Sequence, residues 1–143
     1  MALDSTPAYY VFRDGHVAQA YNEAAFRYFL AVDRWRASRS TRSLLLVLVT
    51  VRQSRGPRAK LTDATAAALF SGLNACVREV DFTGWYREGH VAAAVLSQGI
   101  EVSHDVPHLV AERVLPELRK RLSADQSRNV RVRVVRLGGT ARI

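Results

Sequence analysis

The sequence predicts an α+β domain of split βαβ, ferredoxin-like type, with an antiparallel sheet carrying its helices on one face. Three observations predict it. After a first helix, hydrophobic spacing orders the chain as strand, helix, strand, strand, helix, strand. A short connection, Arg87-Glu88-Gly89, joins the middle strands into a hairpin. The chain has 143 residues, the size of one domain, and no internal repeat or low-complexity linker divides it.

The elements follow in order. Asn22 to Ala37 reads as a helix, with Phe26, Phe29, Leu30 and Trp35 as an uneven apolar face. Arginines crowd its far end, where the helix dipole favours cations. Arg36–Ser43 is polar and serine-rich, a loop. Ser43–Arg52 is the clearest strand, and its near-continuous apolar run suggests cover on both faces. Gly56 and Pro57 mark a turn, and Thr62 caps a second helix running to Glu79. Asp81–Tyr86 and His90–Ser97 are the hairpin strands. Val106–Leu122 is the third helix, with a bend expected at Pro116, because proline lacks the donor that a helix interior needs. Asn129–Leu137 alternates Val130, Val132 and Val134 with Arg131 and Arg133, as a half-exposed strand does.

The composition is that of a globular protein, 48% hydrophobic and 24% charged. One cysteine, Cys76, excludes an internal disulfide framework and a cysteine-rich zinc site; its apolar helical setting suggests a buried thiol. The opening MALDSTPAYY lacks the features of a secretory signal. No apolar run approaches the roughly 18 residues of a membrane span, so a cytoplasmic protein without membrane insertion is expected. The net charge of +8 comes almost entirely from arginine, the only lysines being Lys60 and Lys120. Arginine forks suit phosphate, nucleotide or acidic protein partners, although base composition of the genome can also enrich arginine.

The βαββαβ order is also the core of nucleotide cyclases, and here the residues resemble the GGDEF family. That family opens on a motif like DxLTGLxNRRxF; Val17–Phe26 reads VAQAYNEAAF, matching at Tyr21, Asn22 and Phe26. The resemblance implies a diguanylate cyclase ancestry with the chemistry lost. The family's magnesium-holding aspartate falls on Thr50 and the second position of its DxD on Arg52. Its guanine-contacting asparagine and aspartate fall on Arg58 and Ala67. Its five signature positions fall on Arg87, Glu88, Gly89, His90 and Val91. Two-metal phosphoryl transfer needs carboxylate ligands, so the expectation is no enzyme and no cofactor.

The family's inhibitory RxxD site keeps its register: Arg78-Glu79-Val80-Asp81 stands five residues before the signature. The resemblance implies cyclic di-GMP binding, with Arg78 forking onto phosphate or guanine and Asp81 accepting from the guanine N–H groups. Arg55, Arg58, Arg113, Arg119 and Trp85 are possible auxiliary contacts. The plain alternative is an ion pair between Arg78 and Asp81 at a helix end. Trp85 and Tyr86 must face opposite ways on their strand, one into the core and one free for stacking or a protein contact. REVDFTGWY is similar to segments of a degenerate subgroup found among exopolysaccharide biosynthesis proteins, which implies a regulatory role there.

Other constellations are weaker. His104 and His108 have helical spacing but few nearby carboxylates, and His90 beside Glu88 has no nucleophile. His16 stands apart, and Gly138-Gly139 reads as a flexible end. Three functions follow: a non-catalytic regulatory module binding cyclic di-GMP or a protein, a ligand-free module that dimerises, and an RNA binder of ferredoxin-like layout. Nucleic acid is the least favoured, because Leu44–Val51 and Val130–Val134 carry no aromatic residue for base stacking.

Overall fold

A computed structural model of the chain describes residues 9–11, 17–40, 42–53, 56, 59–98 and 105–137. His16, Arg55, Arg58, His104 and Gly138-Gly139 lie outside the described residues. Strands β1 (Tyr9–Val11) and β2 (Val17–Gln19) form a separate antiparallel ribbon. The main sheet holds β3 (Ser43–Val51), β4 (Phe82–Arg87), β5 (Val91–Gln98) and β6 (Val130–Leu137). Its order is β4-β5-β3-β6, with every neighbouring pair antiparallel. Helices α1 (Glu23–Ser38), α2 (Asp63–Asn74), α3 (Val106–Arg119) and the short α4 (Ala124–Asn129) complete it.

The helices lie on both faces of the sheet, which corrects the one-face expectation. Leu45, Val47 and Val49 of β3 pack with Leu69, Phe70 and Leu73 of α2 and Val114 and Leu118 of α3. Leu44 and Leu46 point the other way and pack with Phe26 and Leu30 of α1. A strand apolar on both rows must be covered on both sides. Helix α1 thus covers part of the second sheet face, on which an RNA-recognition layout would stack bases.

Local chemistry sets the ends of the elements. The Asn22 side chain accepts from the Ala25 N–H at 2.8 Å and starts α1, and Thr62 does the same for α2 through Thr65. Tyr21 joins the sheet at Gly84: its N–H donates to Thr83 O at 2.9 Å and its carbonyl accepts from Trp85 N–H at 3.0 Å. A Cβ at Gly84 would lie 2.7 Å from Tyr21 O, so this crossing admits glycine alone. The helix expected to reach Glu79 ends at Asn74, where the chain turns back towards β4 and Asn74 Oδ1 accepts from Thr83 Oγ1 at 2.9 Å. Pro116 does not break α3, which continues to Arg119; the Pro116 carbonyl accepts from Lys120 N–H at 3.0 Å. The helix α4, not expected, starts on a capping box between Ser123 and Gln126.

Candidate functional site

Backbone register brings four strand ends together. Arg131 of β6 sits opposite Thr50 of β3. The β3–β5 register runs to Val49 opposite Ala92, which brings Val91 beside Thr50, and Val91 pairs with Arg87 of β4. Arg131, Thr50, Val91 and Arg87 thus form one row across the end of the sheet. Strand spacing puts its two arginine backbones about 14 Å apart. Arg52 continues the same face of β3 two residues on, held by its N–H to Asn129 O at 3.0 Å. These residues, with His90, Gln53, Gly56 and Leu61, line an open cleft of about 850 Å³.

Three guanidinium groups dominate the charge of this cleft, and no carboxylate lines it among the described residues. Arg52, Arg87 and Arg131 are exposed and make no side-chain ion pair or hydrogen bond among the described residues. Glu88, the acid nearest in sequence, turns away: its Oε1 accepts from Glu23 N–H at 3.1 Å, while Glu23 Oε1 accepts from Glu88 N–H at 2.6 Å. Gly89 has φ +77° and closes the turn, its carbonyl accepting from Leu61 N–H at 2.8 Å. The donor set of hydroxyl, amide, imidazole and guanidinium does not suit a hard divalent cation, which takes carboxylate oxygens. Gln53 donates its amide to Ala59 O and Lys60 O at 3.1 and 3.0 Å.

Arg78 and Asp81 meet at the opposite end of the sheet. Arg78 is not at a helix end, since α2 stops at Asn74. Its Nε donates to Asp81 Oδ2 at 3.2 Å and its Nη2 to Asp81 Oδ1 at 3.4 Å. Asp81 also accepts from Arg78 N–H at 2.9 Å and Ser97 N–H at 3.1 Å, and its side chain is 2% exposed. Arg78 Nη2 donates to the Ser97 carbonyl as well. The pair therefore clamps the loop to β5, as the plain alternative expects. Asp81 has no free face for a guanine edge in this arrangement. Arg78 is 62% exposed beside a recess of about 560 Å³ lined by Tyr21, Asn74, Val77 and Thr83.

The expected auxiliary residues scatter. Arg113 stays near this loop, donating to Cys76 O at 3.2 Å, and burial pushes the Cys76 thiol above its ordinary range. Arg119 donates to Ser127 O at 3.3 Å and ties α3 to α4, far along the chain from Arg78. Trp85 is the buried member of its pair, 3% exposed and edge-on to Phe70 at 4.9 Å, so it is core and not a ligand contact. Tyr86 is the outer member, with the Arg27 guanidinium 4.2 Å over its ring. His108 pairs with Glu112 at 3.2 Å. Sequence reasoning missed Arg131, which it read only as the polar row of a half-exposed strand; the β3–β6 register reveals it.

No protein-family model and no curated protein matches the chain. Solved structures do. A DGC protein from Thermotoga maritima superposes with a TM-score of 0.61 at 16% identity, over 83% of this chain and 81% of that one. The FimX GGDEF domain from Pseudomonas aeruginosa gives 0.63 at 12% identity, over 85% and 78%. The GGDEF domain of DgcB from Caulobacter crescentus, in complex with c-di-GMP, gives 0.61 at 15% identity, over 95% and 77%. At these identities the likeness concerns the backbone, and it shows that this chain has the α+β fold of a GGDEF domain.

Proposed function

We propose that the chain is a non-catalytic GGDEF-like module that acts by binding. The observation that carries this reading is the cleft at Thr50, Arg52 and Arg87, where arginines and no described carboxylate line the wall. Without a carboxylate among its described lining residues, the wall lacks the oxygen ligands that the cations of phosphoryl transfer between nucleotides take. Incubation with GTP and either magnesium or manganese, followed by chromatography, tests it. The expected result is unchanged GTP; any cyclic di-GMP overturns the reading.

Cyclic di-GMP remains the ligand proposed for Arg78. Support comes from the exposed guanidinium, the recess beside it and the RxxD register. Binding there engages the outward face of Arg78 while Asp81 holds the loop, or else costs Asp81 its four hydrogen bonds. Calorimetry with cyclic di-GMP on the parent and on Arg78→Ala decides it, and no heat in either discards this ligand. A protein partner is proposed for α1, where Tyr28 and Trp35 stand 51% and 61% exposed on one face, seven residues apart. Exopolysaccharide synthesis is the process the REVDFTGWY resemblance supports.

A further inference from the structure

We propose that the arginine-lined cleft holds a diphosphate group directly, without a divalent cation and without selecting the base attached to it. This rests on the non-catalytic reading and gives that same cleft its ligand chemistry. Six other described arginines, Arg27, Arg78, Arg113, Arg119, Arg121 and Arg128, each donate to a carboxylate or a carbonyl. Arg52, Arg87 and Arg131 donate to none among the described residues, yet register gathers them at one sheet end.

Like charges gathered without a counter-charge repel, and a bound anion relieves them. Three planar forks offer more donors than one phosphate accepts, spread over about 14 Å of sheet. A diphosphate, with more oxygens and more charge, answers that width better than a single phosphate. The cleft, at about 850 Å³, has room for the rest of a nucleotide. Its described wall carries no carboxylate and no free amide to read a base. No phenylalanine, tyrosine or tryptophan lines it among the described residues; its one ring is the His90 imidazole, which stacks on any base without choosing one, and the one amide, that of Gln53, donates to two backbone carbonyls.

The test is calorimetry in EDTA with inorganic pyrophosphate, then GDP, then ADP. The three are expected to bind with affinities within about threefold of one another, because the shared diphosphate supplies the contacts. Arg87→Ala and Arg131→Ala each weaken binding about tenfold, the loss of a charge-assisted fork. Arg131→Lys keeps the charge and loses the fork, so it falls between. Arg34→Ala, exposed on α1 outside the cleft, changes nothing. Circular dichroism melts confirm that the variants fold.

Silence at millimolar pyrophosphate overturns the proposal. So does binding that survives both alanine variants, or a GDP preference beyond about tenfold. Failure of the non-catalytic reading shows separately, as cyclic di-GMP made from GTP, and leaves the pyrophosphate heats as they are.

Discussion

Arg78 and a trio of arginines stand at opposite ends of one sheet, in opposite settings. At the Ser97 end, Arg78 is wrapped around a carboxylate that is 2% exposed, and both partners also bond backbone. At the Thr50 end, Arg52, Arg87 and Arg131 converge with no described acid among them. Arginine count alone does not distinguish the two. What distinguishes them is where the carboxylates went: Asp81 turned inward to its loop, and Glu88 turned towards the start of α1. The clamp carries a carboxylate of its own, whereas the cleft is a surface in need of a counter-charge.

The largest expected effect is at the clamp. Asp81→Ala leaves two backbone N–H groups and a guanidinium without their acceptor. Loss of a buried acceptor of charged and neutral donors costs about 2 kcal/mol. Urea unfolding measures it, and a loss under about 0.5 kcal/mol would dissolve the contrast between the two ends. Arg78→Ala comes next at about 1 kcal/mol, since its guanidinium is exposed and Asp81 keeps the N–H groups of residue 78 and Ser97. The order of these two variants is itself a prediction: if Arg78→Ala is the worse, the carboxylate is not the centre of the clamp.

Cys76 reports on the same loop without touching the cleft. Burial raises its thiol pKa, the Arg113 guanidinium opposing, so the reactive thiolate is scarce near neutral pH. The sign for stability follows. Below the ordinary cysteine pKa the thiol is protonated folded and unfolded alike. As pH rises through the folded value, the unfolded chain sheds the proton more readily and stability falls. Alkylation by iodoacetamide at pH 8 is expected to be several-fold faster in Asp81→Ala than in the parent, and unchanged in Arg131→Ala. Equal acceleration by both would mean that the two ends of the sheet are coupled.

Much of the fold was legible because single residues carry local physics. Asn22 and Thr62 cap, the Ser43–Val51 run demands cover, and Gly89 closes a hairpin. The short α4 was legible too, in Ser123 and Gln126, but the apolar spacing of α3 runs on to Leu122 and hides its start. Cys76 and Val77 extended the helical pattern of α2 past Asn74, because residues in a tight turn can bury apolar groups as a helix does. The site divides the same way. Thr50, Arg52 and the turn were found by alignment along the chain, whereas Arg131 needed the β3–β6 register, which no local pattern contains. Alternation put Trp85 and Tyr86 on opposite faces; only packing against Phe70 says which is core.

The smallest effect is the sharpest test of the open end. The side chains of Arg87 and Arg131 are exposed and make no hydrogen bond or ion pair among the described residues, so replacing them removes no side-chain bond of the folded state. The double variant Arg87→Ala, Arg131→Ala should lie within about 0.5 kcal/mol of the parent. Its sign carries the argument. If the three arginines repel, removing two stabilises the fold at low salt, and the gain fades as salt rises and the Debye length falls to about 3 Å at 1 M. Thermal melts at low and high sodium chloride read this directly. A destabilised double variant would mean that these arginines have partners after all, and the two ends of the sheet would then be alike.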